Sequence, residues 1–230
     1  MIKIAASALV GAFLLPGCGS FTHFQSARSL DAGKIAYDLQ GSSIAMNEGT
    51  HFATRFRVGL GKGFEVGGES DLISLVLLEG GVDPSGFGLI MGDLKYQVLR
   101  EPVAGVQGGD PFSLAVGAGG GSGFLTDFYF GQVTVSRAFV QVEPYLAWRY
   151  QRIHLDLDLN DPDDREDLED SYLRDVFREA QDTRFGLHHI FVGVKIWLTK
   201  EIYLIPEASL IFGDADGVGS VGICLGFQTP

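Results

Sequence analysis

Hydrophobic and polar residues alternate with a period of two along most of this chain after residue 32. In a strand, successive side chains point to opposite faces, so such runs read as β-strands with one apolar and one polar face. From Val140 to Tyr150 one face carries Val140, Val142, Pro144, Leu146, Trp148 and Tyr150. The other carries Gln141, Glu143, Tyr145, Ala147 and Arg149. Ile190, Val192, Val194, Ile196 and Leu198 alternate with Phe191, Gly193, Lys195 and Trp197, and Val221, Ile223, Leu225 and Phe227 with Ser220, Gly222, Cys224 and Gly226. The pattern predicts ten strands, near 33–41, 50–60, 63–72, 88–99, 112–120, 125–136, 139–153, 185–198, 201–212 and 218–228. Gly61-Lys62-Gly63, Ser136-Arg137 and Thr199-Lys200 read as short turns. Leu72 to Leu78 is apolar without alternation, so it extends the third strand, forms a buried loop, or moves the count to eight or twelve.

The expected fold is all-β: a closed antiparallel up-and-down transmembrane β-barrel of about ten strands. An even count puts both termini on one side. A soluble lipocalin-like barrel on a lipid anchor is the competing fold, because alternation does not say which face looks outward. The membrane reading draws on a polar face rich in Gly and Ala, and on Trp148 and Tyr150 closing an apolar face as an interfacial belt would.

With the apolar face outward, the inward set holds Arg55, Arg57, Lys95, Arg149 and Lys195 against Asp38, Glu65, Glu69, Asp71, Asp93, Glu143 and Glu207. Unpaired buried charge is costly, so these groups must pair or meet water. Their near balance favours a salt-bridged plug over a narrow pore that selects small solutes.

The first residues carry a separate signal. Lys3 precedes an apolar run from Ile4 to Leu15, too short to span a bilayer as a helix, and Leu15-Pro16-Gly17-Cys18 follows. This resembles the lipobox of bacterial lipoproteins. The resemblance implies a signal peptide over 1–17, action by lipoprotein-processing enzymes, and acylation of Cys18. Residues 18–32 then form a lipidated tether to a barrel domain over 33–230. Cys224 is left without a partner for an intrachain disulfide. The chain's end, with Ser220, Gly222, Leu225 and Phe227, resembles the terminal strand of outer-membrane barrels. That resemblance implies recognition by the barrel-assembly machinery and a place in the lipid of the bacterial outer membrane. Gln228 to Pro230 depart from a terminal Phe.

The formal charge of -12 speaks against nucleic acid as a partner. Most of it is local: Asp156 to Arg184 holds twelve acidic residues and four arginines. Loop 154–184 is expected to be an acidic, partly helical, extracellular presenting element for a partner. Asp156, Asp158 and Asn160 resemble the start of an EF-hand loop, yet Asp161 stands where that loop needs Gly, leaving only a weak Ca²⁺ candidate and no metal or cofactor assigned.

No nucleophile motif or phosphate loop is present, so no catalytic residue is assigned. His188 and His189, with Ser209 and Glu207 on the next strand, are the residues a lipid hydrolase would draw on. A structural or surface-interaction barrel is the leading functional expectation. A small-solute channel and an outer-membrane lipid hydrolase are the alternatives.

Overall fold

The computed structural model describes residues 23–44, 50–78, 81–85, 90–100, 112–123, 126–155, 184–213 and 217–230. Its strands are β1 (Ile35–Ile44), β2 (Thr50–Gly61), β3 (Phe64–Leu78), β4 (Gly81–Ser85), β5 (Ile90–Leu99), β6 (Ser113–Ser122), β7 (Thr126–Ser136), β8 (Val142–Leu155), β9 (Arg184–Trp197), β10 (Ile202–Phe212) and β11 (Gly217–Gln228). Ten of them pair antiparallel in one ring, β1 through β11 with β4 left aside. The ring closes where β11 meets β1 and where β2 meets β3. The turns after β2, β7 and β9 mark one end of the barrel, called here the turn end; the strand ends joined after β1, β8 and β10 mark the other, the loop end.

β4 is the departure from the expected count. The apolar run Leu72–Leu78 extends β3, and Ser74 to Leu78 pair with β4 from Ser85 back to Gly81. A hairpin thus rises beyond the ring, and the ring stays at ten strands. A second departure is at the start of β8. Val140 and Gln141 lie in the turn before Val142, and Val140 is 98% exposed.

The two faces are sorted opposite to those of a soluble barrel. Val192, Leu146, Trp148, Val221 and Ile223 stand on the outside, with Val192 56% exposed. Arg55, Arg149 and Lys95 on the inside are each 1% exposed. This sorting overturns the lipocalin-like alternative, whose outer face would be polar. Water would strip such an apolar exterior into aggregation; hydrocarbon would hold it at no such penalty.

Glycine permits close packing where inward aromatic rings lie across the neighbouring strand. Tyr145 faces Gly193 and Tyr203 faces Gly226 in register, and a Cβ at either glycine would fall on the ring. At the turn end, Gly61, Lys62 and Gly63 all take positive φ, the tight left-handed path between β2 and β3.

Candidate functional site: the occupied lumen

Residues 23–30, expected to belong to a tether outside the fold, instead run inside the barrel. His23, Phe24, Gln25, Ser26 and Ala27 are buried, and so is Leu30. The segment is polar and small enough to match lumen donors and acceptors, and the same character made it read as solvated linker. No strand pairing holds it. Side chains of the wall reach its backbone instead.

Those contacts run along the barrel axis. Near the turn end, Leu30 N–H donates to Glu65 Oε2 at 2.9 Å and Ser29 N–H to Gln97 Oε1 at 3.1 Å. Ala27 N–H donates to Ser136 Oγ at 3.2 Å, and Ser136 Oγ donates to Glu143 at 2.7 Å. Lys95 Nζ donates to the carbonyls of Ser26 and Arg28, both at 3.3 Å. Further in, the N–H groups of His23 and Phe24 each donate to one oxygen of Glu207 at 2.8 Å. The Tyr145 hydroxyl donates to the same carboxylate. His23 Nε2 lies 3.1 Å from Thr134 Oγ1. Gln25, oriented by its surroundings, turns its amide oxygen to Arg55 Nε at 2.8 Å.

Beneath this strap the wall charges pair with one another. Arg57 Nε binds Asp38 at 2.9 Å, and Arg57 also donates to the Tyr203 hydroxyl at 2.6 Å, which in turn donates to Asp38. Glu65 lies 3.5 Å from Arg57 and 3.0 Å from Lys95. Arg55 bridges Glu69 at 3.1 Å and Asp93. Arg149 packs its guanidinium on the rings of Phe130 and Phe191, at 4.5 and 5.2 Å, and donates to Gln132. Lys195 lies on the rings of Trp197 and Tyr203.

Nine of the twelve charges assigned to the lumen from the sequence line one interior: Arg55, Arg57, Glu65, Glu69, Lys95, Glu143, Arg149, Lys195 and Glu207. Asp38 and Asp93 are buried with them; the side chain of Asp71 lies outside the described residues. Sequence reasoning missed the strap, its hydroxyl and amide partners Thr134, Ser136 and Gln97, the Arg149 partner Gln132, and the two tyrosines. Gln97, Tyr145 and Tyr203 share the inward phase of Lys95, Glu143 and Glu207 on their own strands, which was the available signal; β7 carries no inward charge to mark Gln132, Thr134 and Ser136.

The interior is not uniformly polar. Phe24, Tyr145, Tyr203, Ile205 and Cys224 form a buried cluster, so Cys224 is a packed strand residue. His188 stacks among Trp148, Tyr150 and Phe212, whereas His189 points inward. Neither ring nitrogen of His189 has a hydrogen-bond partner among the described residues, and Ser209 Oγ meets Ser220 Oγ at 2.6 Å. No Ser–His pair forms among these residues.

In the terminal strand Ser220 is buried against Ser209, and Gly222 lies under the Phe24 ring with no room for a Cβ. Leu225 and Phe227 face outward. Cys18, the acidic stretch 156–183 and the Ca²⁺ candidates Asp156, Asp158 and Asn160 lie outside the described residues. No group of metal-ligating side chains occurs among the described ones.

No protein-family model and no curated protein sequence matches the chain. Solved structures do match its fold. An outer-membrane channel from Pseudomonas putida F1 is similar at 7% identity and a TM-score of 0.51, over 90% of this chain and 100% of that one. The NanC porin is similar at 12% identity and a TM-score of 0.49, over 83% of this chain and 98% of that one. The N-terminal β-barrel domain of Pseudomonas aeruginosa OprF is similar at 12% identity and a TM-score of 0.40, over 87% and 100%. The fold is that of outer-membrane β-barrels.

Proposed function

We propose that this protein is a bacterial outer-membrane β-barrel closed by its own N-terminal segment, with a structural or surface-interaction role rather than that of a standing pore. The observation that carries the reading is the strap: residues 23–27 are buried in the lumen, and Glu207, Glu65, Ser136 and Gln97 bind its backbone. The apolar exterior suits outer-membrane lipid. Ser220, Gly222, Leu225 and Phe227 would present the terminal strand to the assembly machinery, and loop 154–184 would meet an extracellular partner.

Single-channel recording in planar bilayers tests it. The wild-type barrel should be silent, and a variant lacking residues 23–30 should give conductance steps. Steps from the wild type would overturn the closed-barrel reading.

One observation favours a second reading, a small-solute channel opened when the strap leaves. The strap is held by side chains and not by sheet pairing, so its withdrawal breaks no strand ladder. Wild-type conductance that Arg149→Ala alters would support this reading.

Acylation of Cys18 belongs to the same proposal. Five peptide units join Cys18 to His23, a reach of at most about 17 Å. The anchor therefore draws on the segment that fills the lumen. Labelled palmitate should enter the wild type and not Cys18→Ala.

A further inference from the structure

The turn-end mouth of the barrel holds a cavity of about 610 Å³, bounded by the strap at Arg28, the turn at Gln141 and the turn at Lys200. Lys195 and Trp197 line its inner wall. We propose that this mouth is a binding site for a small oxoanion, a carboxylate or phosphate group, centred on Lys195.

The wall satisfies the other lumen cations, Arg149 through Gln132 and the rings of Phe130 and Phe191. Arg55, Arg57 and Lys95 each have carboxylate partners in ion-pair contact. Lys195 is buried too, 6% exposed, and has no such contact among the described residues. Its Nζ instead sits 4.2 Å from the Trp197 ring centre and 3.9 Å from that of Tyr203. Ring faces stabilise a desolvated cation, but they satisfy it on the ring side only. An ammonium carries three donors. Those of Lys195 have no protein acceptor among the described residues, and the cavity is the space they adjoin.

Glu143 is the neighbouring carboxylate. It stands opposite Lys195 in the β8–β9 register, yet it accepts from Ser136 and makes no ion pair with Lys195. The other charges of the mouth divide unevenly. Arg57 is taken up by Asp38, and Arg100 by Asp31 at 3.0 Å. Arg28 and Lys200 remain at the rim, exposed and without ion pairs among the described residues. A ligand entering here meets cations at the rim, an ammonium at the base and an indole wall beside it. This geometry favours a compact negative group with several acceptor oxygens. The site lies on the turn-end side of the strap, so it needs no open pore.

Binding is read on the full mature chain refolded in detergent micelles. Its tryptophans are Trp148 and Trp197, so a Trp148→Phe background reports on Trp197, beside Lys195. Inorganic phosphate and acetate are titrated separately. A saturable change with either anion, weakened at least tenfold by Lys195→Met, is expected; the two arms tell a phosphate site from a carboxylate site. No saturable change with either, or equal titrations in wild type and Lys195→Met, would overturn the proposal. Amine acylation of the wild type keeps the test open should that variant not refold. Phosphate or acetate should protect Lys195 and leave Lys62 labelled, and equal labelling with and without both anions would count as failure.

Discussion

The backbone N–H of His23 donates to the carboxylate of Glu207, 2.8 Å away in space and 184 residues away in sequence. Phe24 N–H takes the second oxygen of the same group. One wall side chain thus caps two successive amides of a segment that has no sheet partner. Those amides lie where water is excluded, so the carboxylate is what satisfies them.

Glu207→Ala should release the inner half of the strap. Each buried N–H left without an acceptor costs about 1–3 kcal/mol, and Tyr145 loses its acceptor as well. A cysteine introduced by Ser26→Cys should resist thiol reagents in the otherwise wild-type barrel and label readily in the Glu207→Ala background. Equal protection in both would mean that Glu207 does not hold the strap.

The Asp38–Arg57–Tyr203 triangle should behave as a buried charge network. Arg57→Met strands Asp38, and removing one partner of a buried pair costs about 3–5 kcal/mol. Tyr203→Phe removes a hydroxyl and should cost nearer 1 kcal/mol. Reversible denaturant unfolding in lipid vesicles measures both. The Asp38→Leu, Arg57→Met double variant should lose less than the two single losses combined, because no lone charge remains.

Gly226→Ala would set a methyl group against the Tyr203 ring. Overpacking of this kind costs about 1–3 kcal/mol. The loss should shrink in a Tyr203→Ala background, where the ring is gone. A purely conformational role for Gly226 would leave the cost the same in both backgrounds.

The inverted faces make a depth-dependent prediction. Val192 stands on the outer face in the body of β9, and Leu198 stands just past its turn end, both exposed. Val192→Arg should cost about 2–4 kcal/mol, and Leu198→Arg no more than about 1 kcal/mol, as lipid depth dictates. Gel mobility before and after boiling reports folding: the heat shift should weaken for Val192→Arg and persist for Leu198→Arg. Equal tolerance of both would place the outer face in water.

Much of the barrel was legible because a strand's side-chain period is two. Once Arg149 and Lys195 were on one face and Trp148 and Val192 on the other, membership of each face followed along every alternating run. β10 alternates less sharply, though its strand stands where the pattern put it. Tyr203, Ile205 and Ile211 point inward with Glu207, so both of its faces are largely apolar and the alternation is blurred. The β3–β4 hairpin was undecided for a similar reason, since Leu72 to Leu78 carries no period at all.

The local pattern of this chain determined its strands, their turns and the face each charged residue shares. Tertiary structure alone decided how Asp38, Arg57 and Tyr203 meet, and what fills the interior. Alternation is a property of neighbours along the chain, set by backbone geometry. The strap has no period to read, and its place depends on Glu207, Glu65, Ser136 and Gln97, which come together only when the ring closes.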